Sequence, residues 1–336
     1  MNSFANLKKS VLIAEEGQAN QGDVDLAIEM CDIAARSGAD GIEFQFFLAD
    51  DMYAPSHEGY EIYKANELSF DAITKIISHT KSLGLISQVA GLSPQVIKHC
   101  STNGADYFVV NATDLVNPFI IDAVIDTGKP FWLATLMASL NEISWAVAYA
   151  NARRAKSFGI LHGQHIMSSG AAGGVPTELL QLDCIGMLSR KYHLPIGFID
   201  HTSSEFVPAL AVAKGATCVT KHLAPYPGWE GPDSQIALEP NVFSKAKILF
   251  DLAENASGDS KDLNDLEVKD RIIHRRALYL ARSVTKGHIL QTDDLVALRP
   301  GLGGIDPRSL VDIEGARVSR DLSSGHMLVK SDLVSV

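Results

Sequence analysis

The sequence predicts an α/β protein: a closed (β/α)₈ barrel followed by a small β-rich domain. Three observations carry that expectation. Eight short apolar runs recur over the first two thirds of the chain, stretches with helical spacing separate them, and the C-terminal segment repeats itself. Parallel strands need covering crossovers, so such alternation builds either a barrel or an open doubly wound sheet. No Gly-x-Gly-x-x-Gly or P-loop follows any run, which weakens the nucleotide-binding form of the open sheet. A chain of 336 residues accommodates a barrel of roughly 250 plus one further module.

The expected strands are Val11–Glu15, Gly41–Phe47, Leu85–Ala90, Tyr107–Ala112, Phe131–Leu136, Gly159–Gln164, Ile196–Asp200 and Ala216–His222. Between them, Asp23–Ser37, Ser69–Leu83, Ser139–Ser157 and Pro176–Tyr192 carry apolar residues at helical spacing. The polar stretch Asn255-Ala256-Ser257-Gly258-Asp259-Ser260-Lys261-Asp262 lacks apolar periodicity and reads as a linker. The expected domain limits are therefore 1–254 for the barrel, 255–272 for the linker and 273–336 for the small domain. Within that domain, Val284-Thr285-Lys286-Gly287-His288-Ile289-Leu290 with Asp294-Leu295 returns as Leu322-Ser323-Ser324-Gly325-His326-Met327-Leu328 with Asp332-Leu333. Two pseudo-equivalent halves folded into one module follow from this echo.

Composition is that of an ordinary globular chain, 46% hydrophobic and 21% charged. A formal net charge of −11 gives no case for binding nucleic acid or an anionic membrane, so an anionic substrate requires local cations. Cys31, Cys100, Cys184 and Cys218 lack CxxC spacing and lie in apolar contexts, as reduced core residues do. No run approaches the ~20 apolar residues of a membrane span, and the expected location is cytoplasmic.

The chemistry concentrates at strand ends. Asp200-His201-Thr202 closes one apolar run and Lys221-His222 the next, which sets two histidines side by side on the rim where barrel enzymes keep their catalytic groups. Imidazole pairs on a rigid scaffold are common ligands for Mn²⁺, Zn²⁺, Fe²⁺ or Co²⁺. The other ends supply Glu15, Gln45, Asn111 and His165, with Asp233 after the last strand. A divalent metal on His201 and His222 would polarise an oxygen as a Lewis acid, with Glu15 acting as general base or orienting water. Asp200 either joins this chemistry or caps the helix that starts near Ser203.

These residues sit in segments that resemble the sialic acid synthase family, which condenses phosphoenolpyruvate with N-acetylmannosamine or related acylamino sugars. The resemblance runs through Ile13-Ala14-Glu15-Glu16-Gly17, Ser37-Gly38-Ala39-Asp40-Gly41-Ile42-Glu43-Phe44-Gln45, Glu67-Leu68-Ser69, Gly128-Lys129-Pro130, Ile196–Thr202, Lys221-His222 and Gly231-Pro232-Asp233. The C-terminal segments Arg275-Arg276-Ala277-Leu278-Tyr279 and Arg299–Ile305 resemble the antifreeze-like (SAF) domain of those synthases. The resemblance implies that His201 and His222 hold manganese and that Glu15, Gln45 and Asp233 belong to the site. It further implies that Arg299 enters a neighbour's barrel over the acylamino group, in a domain-swapped homodimer. His165, at a family asparagine, is a third ligand or a hydrogen-bonding substitute.

The phosphoenolpyruvate half departs from the family. Glu43 and Phe108 stand where the family has lysines, Ser87-Gln88-Val89-Ala90 and Val110-Asn111-Ala112-Thr113 replace its polar turns, and Ala134, Met167 and Ile199 replace further polar groups. The expected assignment is Glu15, His165 and Asp200 as catalytic, and Glu43, Gln45, Asn111, Lys221, Asp233 and Arg299 as substrate-binding. The expected function is a metal-dependent enzyme of surface-glycan biosynthesis acting on an acylamino or nonulosonic sugar, by aldol-type or proton-transfer chemistry without the usual phosphoenolpyruvate site. The alternatives are a phosphoenolpyruvate-dependent synthase with cations relocated to Arg153, Arg154 or Lys221, and a non-catalytic sugar-binding paralogue. Joint retention of Glu15, His201, His222 and Arg299 speaks against the last.

Overall fold

Each short apolar strand is followed by a segment that covers its outer face, and the eight strands close on themselves. The computed structural model describes residues 9–166 and 173–334. The strands are β1 (Val11–Gly17), β2 (Gly41–Phe46), β3 (Ile86–Gly91), β4 (Tyr107–Val110), β5 (Phe131–Ala134), β6 (Phe158–Gly163), β7 (Ile196–Asp200) and β8 (Cys218–His222). All pair in parallel in chain order, and β8 returns to β1. The fold is a TIM barrel.

Side chains alternate across each strand. Ile13, Val109, Trp132, Leu161, Ile199 and Cys218 fill the barrel interior. Phe44, Phe46, Phe108, Phe131 and Phe198 point the other way, into the layer beneath the helices. The inward set toward the C-terminal rim is polar: Glu15 pairs in register with Glu43 on one side and His222 on the other, and Glu43 with Gln88.

Helix starts follow their caps. Asp23 accepts from the N–H groups of Asp25 and Leu26 to begin Val24–Arg36, and Ser69 begins Phe70–Ser82. Ser139 and Glu142 form a reciprocal capping box on Leu140–Ala152. The stretch expected as one helix over Pro176–Tyr192 is a 3₁₀ turn, Thr177–Leu179, and a helix, Asp183–Tyr192. Gln181 separates them with a left-handed backbone, φ +51°. Two short helices, Ala49–Met52 and Tyr60–Asn66, lie between β2 and the next long helix.

Residues 259–336 form a second compact unit. Its antiparallel pair is β9 (Ala277–Leu280) and β10 (Leu295–Leu298), over a core that includes Leu278, Leu290, Val318 and Leu328. The repeat has a physical meaning. Asp294 is fully buried and accepts from Arg282, from His288 at 2.8 Å and from the Gln291 N–H, while Asp332 does the same with Arg320, His326 and the Val329 N–H. Much of the stretch expected as linker is helical, since Asn264 and Glu267 cap a helix over Asp265–His274. Among the described residues no helix is long and apolar enough to cross a membrane.

The barrel interior leaves no room at Gly159, where a β-carbon would lie 2.5 Å from the Trp132 ring and 2.7 Å from the Pro195 carbonyl oxygen. Gly159→Ala is expected to lower unfolding free energy by about 1–3 kcal/mol in urea denaturation, the usual cost of overpacking.

Candidate active site

Glu15 near the end of β1, His201 directly after β7 and His222 at the end of β8 share the inward side of neighbouring strands. Each offers a ligand atom within 4.8 Å of the others, and all three are buried. Glu15 Oε2 lies 3.5 Å from His222 Nε2, and the Gln45 amide donates to Glu15 Oε1 at 3.0 Å. His201 Nδ1 is 3.1 Å from the Gln164 carbonyl oxygen. A carbonyl only accepts, so Nδ1 carries the proton and Nε2 keeps its lone pair for a ligand. Asp233 Oδ2 approaches His222 Nδ1 at 3.8 Å from a left-handed backbone, φ +58°. Gly17 keeps the space open: a β-carbon there would meet the His222 ring at 3.1 Å and the Asp233 carboxylate at 3.3 Å.

Burial pushes both His201 and His222 down to about 4, so the imidazoles are neutral at physiological pH, the form that binds metal. Burial raises Glu15, against the lowering effect of His201. Two neutral imidazoles and a carboxylate in a buried cluster fit a divalent ion. His165 stands beside this set, its ring centroid 5.4 Å from that of His201, and is not part of the cluster.

A cavity of about 370 Å³ opens over the triad. Glu43, Gln45, Asn111, His165 and Asp233 line it together with the triad, and Val109, Ala134, Leu136 and Ile199 supply an apolar wall. No lysine or arginine is among the described residues lining it. The undescribed stretch 167–172 contains none either, and the expectation attached to Met167 lies within it. Glu43 is buried on the cavity wall and accepts from Gln88 Nε2 at 2.6 Å. Burial first, then the charge of Glu15, pushes its carboxyl well above the usual range.

The remaining expected residues lie outside the cavity wall. Asp200 and Lys221 turn away from the cavity because they alternate with His201 and His222 along their strands. Both are fully buried, with Lys221 Nζ 3.1 Å from Asp200 Oδ2 and donating to the Thr202 carbonyl, while Asp200 Oδ1 accepts from the Thr202 N–H at 2.8 Å. They brace the rim rather than touch a ligand, and losing either would strand a buried charge at roughly 3–5 kcal/mol. Phe108 packs outward against the helices, and Val109 is the residue of β4 that faces the cavity. Arg153 pairs with Asp122 at 2.7 Å and is exposed, as is Arg154, so neither supplies the cavity with a cation. Arg299 belongs to the second unit, where it is exposed and its guanidinium lies 3.5 Å from His274 Nδ1. Sequence reading had not singled out Tyr63, Met52 or Leu136 as lining residues, nor Gln88 as the partner of Glu43. The alternation Glu43-x-Gln45 and Ile86-x-Gln88 is the signal that points inward.

His201→Ala and His222→Ala are each expected to abolish stoichiometric Mn²⁺ uptake, read by elemental analysis after gel filtration, with far-UV circular dichroism unchanged. Full metal content in the double variant would rule the centre out.

Residues 30–262 match the NeuB family, and residues 275–334 match the SAF domain. An uncharacterized protein of Methanocaldococcus jannaschii is 28% identical, covering 96% of this chain and 94% of that protein. The N,N'-diacetyllegionaminic acid synthase of Legionella pneumophila is 29% identical, covering 95% and 93%. The solved structure of a putative spore coat polysaccharide biosynthesis protein E from Chromobacterium violaceum superposes with a TM-score of 0.81 at 18% identity, covering 97% of this chain and 100% of that one, a likeness of fold. The family match spans well over half of the chain, which therefore belongs to the NeuB family of sialic-acid-type synthases and carries a C-terminal SAF domain.

Proposed function

We propose that the protein is a metal-dependent enzyme of surface-glycan biosynthesis that acts on an acylamino or nonulosonic sugar, by aldol-type C–C bond or proton-transfer chemistry without phosphoenolpyruvate. One observation carries this reading: a cavity with a neutral-imidazole and carboxylate triad, a buried Glu43 and no lysine or arginine among its described lining residues. A divalent ion held by Glu15, His201 and His222 supplies Lewis-acid polarisation of a substrate oxygen when bound. Gln45 fixes the orientation of Glu15, and the Gln164 carbonyl fixes the tautomer of His201. Asp233 accepts sugar hydroxyls at the rim, and His165, outside the ligand cluster, moves a proton to or from the reacting sugar. The apolar wall of Val109, Ala134 and Leu136 excludes water from that end.

A doubly anionic donor finds no lysine or arginine among the described residues lining the cavity. Glu43 supplies no positive charge in either form: protonated it is neutral, and ionised at about 4 Å from a phosphate charge it repels that charge by ~4 kcal/mol at an effective dielectric of 20. The same reading places Arg299 of a second copy over the acylamino group, in a domain-swapped homodimer. Its support is the resemblance of Arg299–Ile305 to the SAF segment and the exposure of this guanidinium.

Protein loaded with Mn²⁺ and given N-acetylmannosamine is expected to release no phosphate from phosphoenolpyruvate above background in a malachite-green assay. Turnover of ~1 s⁻¹ or faster, an ordinary enzymatic rate, overturns the proposal. Glu43→Lys combined with Val109→Lys is expected to raise phosphoenolpyruvate affinity, each new pair contributing roughly 1–3 kcal/mol. Mixing an Arg299→Ala chain with a His201→Ala, His222→Ala chain is expected to restore turnover of the sugar substrate through hybrid sites. Inactive mixtures would refute the shared site.

A further inference from the structure

We propose that the β2–β3 side of the cavity receives a protonated amine, with Glu43 as its counter-ion and specificity-determining residue. The inference rests on the reading that this cavity takes no anionic donor, and it names what replaces one. Glu43 is 3% exposed, yet it lines the cavity. Its Oε2 is occupied by the Gln88 N–H at 2.6 Å, and among the described residues its Oε1 has no hydrogen-bond partner. Gln88 is neutral, so it satisfies a lone pair without balancing a charge.

Charge counting points to the ligand. Glu15 and Asp233 both flank His222, at 3.5 and 3.8 Å, so these two carboxylates offset the two charges of a divalent ion. Glu43 stands outside that balance. The nearest buried lysine, Lys221, is committed to Asp200 on the far side of the strands, and no lysine or arginine is among the described residues lining the cavity. A carboxyl in such a place either keeps its proton or is held as a carboxylate by a cation that joins it. An ammonium group matches Oε1 in charge and hydrogen-bond sense, and Leu92, Val109, Ala134 and Leu136 offer its carbon body an apolar wall. A carboxylate or phosphate at the same spot would face a like charge.

The test uses the full chain loaded with Mn²⁺ and isothermal titration with ethylamine, with propionate as its anionic counterpart and N-acetylmannosamine as the acylamino sugar. Ethylamine is expected to bind at one site at least tenfold more tightly than propionate. Glu43→Gln, close in shape, is expected to lose that preference, and Glu43→Asp is expected to keep part of it. Thermal unfolding of each variant verifies the fold. Equal binding of ethylamine and propionate by wild type, or an undiminished amine preference in Glu43→Gln, overturns the inference. If N-acetylmannosamine still binds in that case, the proposed function stands without it. Phosphate release from phosphoenolpyruvate by wild type would sink both.

Discussion

Strand parity in a closed parallel barrel is the constraint on which this molecule turns. Side chains alternate strictly between the interior and the helix layer, so a residue's chemistry counts at the cavity only if its parity is right. Glu15, Glu43, Gln88, His201 and His222 share the inward parity, and register sets Glu15 between Glu43 and His222. The outward neighbours Asp200 and Lys221 neutralise each other behind the same strand ends. One pair of adjacent strands thus carries two separate electrostatic systems, one facing ligand and the other bracing the rim.

Burial then does the chemical tuning. Removing His201 and His222 from water costs their charged forms more than their neutral ones, which is why both imidazoles resist protonation until the pH falls to about 4. The same burial disfavours ionisation of Glu15 and Glu43, so both carboxyls hold their protons to higher pH than exposed ones do. The left-handed backbone of Asp233 and the bare α-carbon of Gly17 are local costs accepted to keep the rim open around His222.

Much of this was legible in the chain. All eight strands appear as short apolar runs, because both faces of a parallel barrel strand are buried and the run stays apolar throughout. That property also hides parity. In Tyr107-Phe108-Val109-Val110 nothing distinguishes inward from outward, so Phe108 is taken for a cavity residue when Val109 is. Asp200 and Lys221 mislead differently: adjacency to a histidine in sequence means opposition in a strand. Glu43 was legible as a charge in the wrong place, while its pairing with Gln88 needed the register of two strands. The helix Asp265–His274 escaped because its N-terminal Asn264 and Glu267 sit in a polar context that reads as linker.

The Lys221–Asp200 pair decides how much positive charge the barrel's own residues can offer at its mouth. An unpaired lysine near a barrel mouth could turn toward an anion there by a change of rotamer. Here that lysine is walled in, its ammonium shared between a carboxylate and the Thr202 backbone, with no exposed surface. Freeing it would leave an aspartate charge in the protein interior, at roughly 3–5 kcal/mol. The same contact that stiffens the histidine-bearing strands thus keeps a buried cation away from the cavity those histidines face.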